Sequence, residues 1–145
     1  MRINDKIKEI ETYLEELSNI APQGFDGYIE NYEKKAACER YFEKIIEAIV
    51  DLAFLVIKKN QLKMPGDDVI AFNVLSENEI ISKDLAEKLK NAKGMRNILA
   101  HEYGSVDDEL VFESITTELE KDSKAFLDAI KKTIRKANSQ PKPKK

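Results

Sequence analysis

The 145-residue chain contains no tryptophan, one cysteine, one histidine, five glycines and four prolines. A lone Cys38 excludes an intrachain disulfide, and one Cys beside one His leaves no zinc ligand set, so neither a structural metal nor a cofactor is expected. Scarce Gly and Pro disfavour a turn-rich sandwich, and no Gly-rich loop follows a strand as phosphate-cradling motifs require. No run approaches the roughly 18 uncharged apolar residues of a membrane span. Met1-Arg2-Ile3-Asn4-Asp5 turns polar where a signal peptide would open an apolar core. The expectation is a cytoplasmic protein without a membrane partner. An excess of basic residues is missing too. A net charge of −3 argues against a broad cationic surface that coats nucleic acid, so any RNA contact is expected to be local.

What the chain does have is 42% hydrophobic and 35% charged residues, enough apolar content for one core and a balance that favours helices. Ile3, Ile7, Ile10, Leu14 and Leu17 alternate in steps of four and three, the stripe of a first helix ending near Ala21-Pro22. A turn over 22–27 precedes a long second segment from about Tyr28 to Asn60, with room for a bend. Its half from Ile45 to Ile57 is apolar except for Glu47 and Asp51, which predicts a helix surrounded by others. Asp67 or Asp68 is placed to cap a short helix through about Leu75, and Ser82 to cap the next. Leu85, Leu89, Ala92, Arg96, Leu99 and Tyr103 form one stripe if that helix continues through Gly94, with Gly104 ending it. A last helix is expected from Asp107 or Asp108 to Ala137, on Leu110, Ile115, Leu119, Phe126, Ile130 and Ile134, its first turns fitting less cleanly. The fold class is therefore all-α, an antiparallel bundle of four principal helices plus a short extra one, with residues 1–138 as a single domain and 139–145 as a basic flexible tail.

Arg96 is the anomaly: a permanent cation on an otherwise apolar stripe. An unpaired buried charge costs several kcal/mol, so Arg96 requires carboxylates or a bound anion. Glu47 and Asp51, four apart on the most apolar helix, are the available internal partners. A buried ion pair that fixes helix register is one account of Arg96. The neighbours offer another. His101, the only histidine, lies one turn past Asn97 on the same helical face and is the one side chain here whose ordinary pKa suits proton transfer near neutrality.

Arg, Asn, His and Tyr without metal or nucleophilic Ser or Cys suit RNA cleavage, because the substrate supplies its own nucleophile in the 2′-hydroxyl. His101 would move the proton, Arg96 would bind the in-line phosphate bidentately, Asn97 would orient His101 or donate to phosphate, and Tyr103 would hydrogen-bond or stack on a base. A single histidine cannot act as acid and base at once. A twofold homodimer would bring two copies of Arg96 and His101 to one cleft. Tyr13, Tyr28, Tyr32 and Tyr41 are expected to pack or line an interface, and Cys38 to be a small buried hydrophobe.

Arg96-Asn97-Ile98-Leu99-Ala100-His101-Glu102-Tyr103 resembles the Arg-x4-His-x-Tyr motif of the HEPN superfamily, specifically the HepT-like toxins paired with minimal nucleotidyltransferase antitoxins. The context resembles that family over roughly residues 28 to 135: the long apolar helix carrying Glu47 and Asp51, the Pro-Gly loop, the short 67–75 segment and the helix leading into the motif. The resemblance implies a HEPN-like homodimeric bundle acting as a metal-independent RNA endonuclease, the toxin of a type VII-like toxin-antitoxin pair, with Arg96 and His101 catalytic. It further implies silencing by a nucleotidyltransferase antitoxin through AMP transfer to Tyr103, with Glu47 and Asp51 in a supporting role. The rival expectation is a noncatalytic helical partner or substrate-binding subunit of a nucleotidyltransferase.

Overall fold

A computed structural model describes residues 2–101 and 107–139. Tyr103, the Gly104 helix end and the tail beyond residue 139 lie outside the described residues. Every regular element among those described is helical.

Helix α1 (Arg2–Ile20) buries Ile7, Ile10 and Leu17 and half-buries Ile3 and Leu14, the stripe its spacing dictates. The second segment is two helices and not one bent one. Helix α2 (Phe25–Glu30) stops at Asn31, whose extended backbone (φ −112°, ψ 98°) breaks the hydrogen-bond ladder. The Asn31 side chain then accepts from the Lys34 amide at 3.0 Å and starts α3 (Tyr32–Lys59). The bundle thus has a second short helix where the spacing suggested only one.

Local chemistry sets the remaining ends. The Asp67 carboxylate accepts from the Ile70 amide at 3.0 Å and opens α4 (Asp68–Glu77), and the Ser82 hydroxyl accepts from the Leu85 amide at 3.0 Å and opens α5 (Lys83–His101), which runs unbroken through Gly94. Gln61 (φ 57°) and Glu79 (φ 61°) turn left-handed just past α3 and α4. There the amides of Leu62 and Ile80 close back on the carbonyls of Ile57 and Leu75, at 3.0 and 2.9 Å.

The last helix departs from the expected single rod. Asp107 caps α6 (Asp108–Glu113), a π-helical turn follows over Ser114–Glu118, and α7 (Leu119–Ser139) continues past the expected end at Ala137 to the last described residue. A π turn winds more residues per turn than an α-helix, so a stripe counted at ordinary spacing loses phase across it. Leu110, expected inside, is 52% exposed, and its neighbour Val111 is buried instead. That is why the first turns of this segment fitted poorly.

The chain folds as an antiparallel bundle around α3. Lys6 of α1 meets Asp51 while Glu16 meets Tyr41, so α1 and α3 run in opposite directions. Lys93 meets Asp68 and Lys90 meets Asn73, which sets α4 against α5 the same way. From Ile45 to Ile57, α3 buries Ile45, Ile46, Ala48, Ile49, Val50, Leu52, Ala53, Val56 and Ile57 against α1, α4, α5 and α7. Cys38 is buried, and burial pushes its thiol up. Tyr28 packs fully inside, and Tyr13 and Tyr41 meet edge to face at 6.2 Å with the Lys44 ammonium over both rings. Tyr32, by contrast, is 85% exposed.

Candidate active site

Glu47 and Asp51 occupy the one polar strip of the buried half of α3, facing the stretch of α5 that carries Arg96. Between them lies an open cleft of about 700 Å³. Arg2 and Lys6 of α1, with Lys93 and Arg96 of α5, face Glu47, Asp51 and Asp68 across it, over an apolar wall of Val50, Phe54 and Leu55. Four cations meet three carboxylates, so the cleft is polar and nearly charge-balanced.

Arg96 is largely buried, its side chain 17% exposed, and Nη2 forms an ion pair with Glu47 Oε1. Its Nη1 donates to Asn97 Oδ1 at 3.3 Å. Its Nε is buried with no hydrogen-bond partner among the described residues. Asp51 shares the cleft but pairs elsewhere, 3.6 Å from Lys6 Nζ. The hydrogen bond to Glu9, then the charges of Glu9 and Asp51, hold the Lys6 ammonium above the ordinary lysine range. The demand of Arg96 for a carboxylate is thus met by Glu47, and that of Asp51 for a cation by Lys6.

His101 is the last described residue of α5, and it is exposed. It does not line the Arg96 cleft. Five residues of α-helix separate the two by roughly 7.5 Å of rise and about 140° of rotation, so one chain presents them in different directions. Asn97, four residues before His101, shares its face. Tyr103 lies outside the described residues.

Lys93 is a cleft residue the sequence reading passed over. It is 9% exposed, and its Nζ lies 3.1 Å from Asn97 Oδ1 and 3.4 Å from Asp68 Oδ2. The available signal was its spacing, four after buried Leu89 and four before Asn97. A lysine on an amphipathic helix ordinarily reads as solvated, which hid it. Among the described residues no group of three or more His, Cys, Asp and Glu is arranged to hold a metal ion, and no helix is long and apolar enough to cross a membrane.

Comparison with known proteins adds the family. Residues 7–132 match the family described as "Ribonuclease HepT-like". The tRNA nuclease HepT of Aphanizomenon flos-aquae is 27% identical over 119 residues, 82% of this chain and 81% of that protein. The mRNA nuclease HepT of Shewanella oneidensis is 32% identical over 89 residues, 61% of this chain and 66% of that protein. The solved structure of the tri-AMPylated Shewanella oneidensis HEPN toxin in complex with MNT antitoxin superposes with a TM-score of 0.84 at 25% identity, covering 90% of this chain and 96% of that one. YutE of Bacillus subtilis, a cytosolic protein of unknown function, shares the fold with a TM-score of 0.79 at 15% identity, over 97% of this chain and 94% of that one. With an all-helical bundle of HEPN type and a family match across most of its length, this chain belongs to the HepT-like ribonucleases.

Proposed function

We propose that this protein is a metal-independent RNA endonuclease that works as a homodimer, with Arg96 and His101 as its catalytic residues. The observation that carries the reading is the arginine itself: a mostly buried guanidinium anchored by Glu47 and Asn97 at the edge of an open cleft, one and a half turns before the only histidine. Such a group is preorganised to meet a phosphate with little rearrangement.

In the proposed reaction the 2′-oxygen attacks the adjacent phosphorus as its proton passes to one His101. The bond to the 5′-oxygen breaks, and that oxygen takes a proton from the His101 of a second copy. A 2′,3′-cyclic phosphate and a free 5′-hydroxyl result. Arg96 stabilises the added charge on the phosphorane. Since His101 does not reach the cleft of its own chain, a second copy crossing the first is the arrangement that supplies both groups. Asn97 and Glu47 hold Arg96 in place, while Asp51 maintains the cleft with Lys6.

The relatives support a toxin role, because the Shewanella oneidensis structure is that of a tri-AMPylated toxin with its MNT antitoxin. The corresponding proposal here is a minimal nucleotidyltransferase partner that silences the enzyme by transferring AMP to Tyr103. A bulky anionic adduct on that tyrosine would exclude RNA and repel its phosphates.

Incubating the protein with cellular RNA in EDTA tests the reading. Wild type is expected to cleave, and a folded His101→Ala dimer to be inactive. Cleavage lost on chelation would overturn the metal-free mechanism. One observation favours a second reading: Glu47 already neutralises Arg96, as in a charge cluster that only fixes helix register. Arg96→Met decides between them, for a scaffold would keep its fold and any cleavage, whereas the catalytic reading requires cleavage to disappear.

A further inference from the structure

Lysine is seldom buried, because its ammonium loses hydration unless other groups replace the water. Lys93 is buried all the same, on the turn of α5 immediately before Arg96 and Asn97. Two groups replace water around it, Asp68 of α4 and the side-chain oxygen of Asn97. That oxygen also accepts from Arg96 Nη1, so a single amide oxygen sits between an ammonium and a guanidinium. The arrangement fixes which way the Asn97 amide faces. Turned over, it would present NH2 to two groups that can only donate.

The orientation matters for Arg96. Its Nε makes no hydrogen bond among the described residues, so Glu47 at Nη2 and Asn97 at Nη1 are the two contacts that set the plane of the guanidinium. Without the second, the group pivots about the first. We propose that Lys93 is a positioning residue for RNA cleavage, acting through Asn97 to hold the Arg96 guanidinium in the cleft, with Asp68 as its tether. The proposal rests on the ribonuclease reading above. Lys93 itself need not touch the substrate.

A double-mutant cycle between Lys93→Met and Asn97→Ala tests this, read as kcat and KM for RNA cleavage beside the thermal melting of each variant. Methionine fills similar volume, and Asp68, 46% exposed, can return to water when its partner is removed. Lys93→Met is expected to lower kcat by about tenfold or more while moving KM by less than roughly threefold, because a misplaced catalytic group costs rate more than binding. In the Asn97→Ala background the same change is expected to cost nothing further. A folded Lys93→Met enzyme with kcat within about twofold of wild type overturns the proposal, as do losses from the two changes that multiply. If Lys93→Met does not fold, Asp68→Ala enters the same cycle: a smaller fall in kcat that vanishes in Asn97→Ala supports the relay, and an unchanged kcat overturns it. A wild type that cleaves no RNA overturns both this proposal and the nuclease reading, whereas an active wild type with an indifferent Lys93 overturns this proposal alone.

Discussion

At Arg96, attraction and competition come from the same carboxylate. Glu47 aims the guanidinium yet occupies one of the nitrogens that a phosphate would use. Replacing it with Gln keeps a hydrogen-bond acceptor but removes the charge. Glu47→Gln is therefore expected to tighten RNA binding about two- to fivefold in a His101→Ala background, as read by fluorescence anisotropy, and to lower the melting temperature, because it leaves the largely buried Arg96 cation without its counter-charge. Tyr28 is a second residue whose surroundings give a measurable sign. Burial first, and the Glu39 charge next, hold its phenol far above the ordinary value of 10.0. The hydrogen bond to Glu39 likewise holds Lys35 above 10.5. Both groups keep their protons in the fold to higher pH than in the unfolded chain, so the stability they contribute is complete below pH ~10 and is lost as pH rises beyond it. Urea unfolding between pH 8 and 11 is expected to show that decline, shallower in Tyr28→Phe, which costs about 1 kcal/mol at neutral pH. The need of Arg96 for a carboxylate was legible in the sequence, as a charge out of place on an apolar stripe. Lys93 was not, because a long charged side chain on a helix reads as solvated until the elements across from it are positioned.

The helix starts at Asp67 and Ser82 were legible because their signal is local. Asp67 and Ser82 each cap the helix their spacing indicated, since a side chain accepting from an amide three residues on needs no tertiary context. Asn31 carries the same local cap, accepting from the amide three residues on, but the apolar spacing runs on across it and so concealed the break between α2 and α3. The π turn over Ser114–Glu118 was equally illegible, its trace in the sequence being the poor fit of Leu110 to the stripe. The helix ends at Gln61 and Glu79 supply a test. Both adopt a left-handed backbone that costs an ordinary residue about 1–2 kcal/mol. Against the extra freedom a glycine gains when unfolded, Glu79→Gly is expected to raise stability by up to about 1 kcal/mol in thermal or urea unfolding, with no change in cleavage.

Across the whole molecule, one buried cluster links α1 through α7. The bundle therefore holds the cleft rigidly while leaving His101 at one end of α5, outside it. If two chains complete one site, specific activity depends on protein concentration. Diluting the enzyme through its dimer dissociation range, located by sedimentation, is expected to lower the rate faster than in proportion to protein, and a rate proportional to concentration throughout that range would contradict the shared site. The ion pair between Arg96 and Glu47 has a further consequence for what can enter. Because the guanidinium already holds an anion, admission to the cleft is an exchange: a newcomer succeeds by outbidding a tethered carboxylate that never diffuses away. Chloride or a single inorganic phosphate faces that contest alone at every encounter. If the cleft takes RNA as proposed, a polyanionic strand would meet that contest with neighbouring phosphates held beside it, and the resident carboxylate would act as a threshold that favours polymers over small anions.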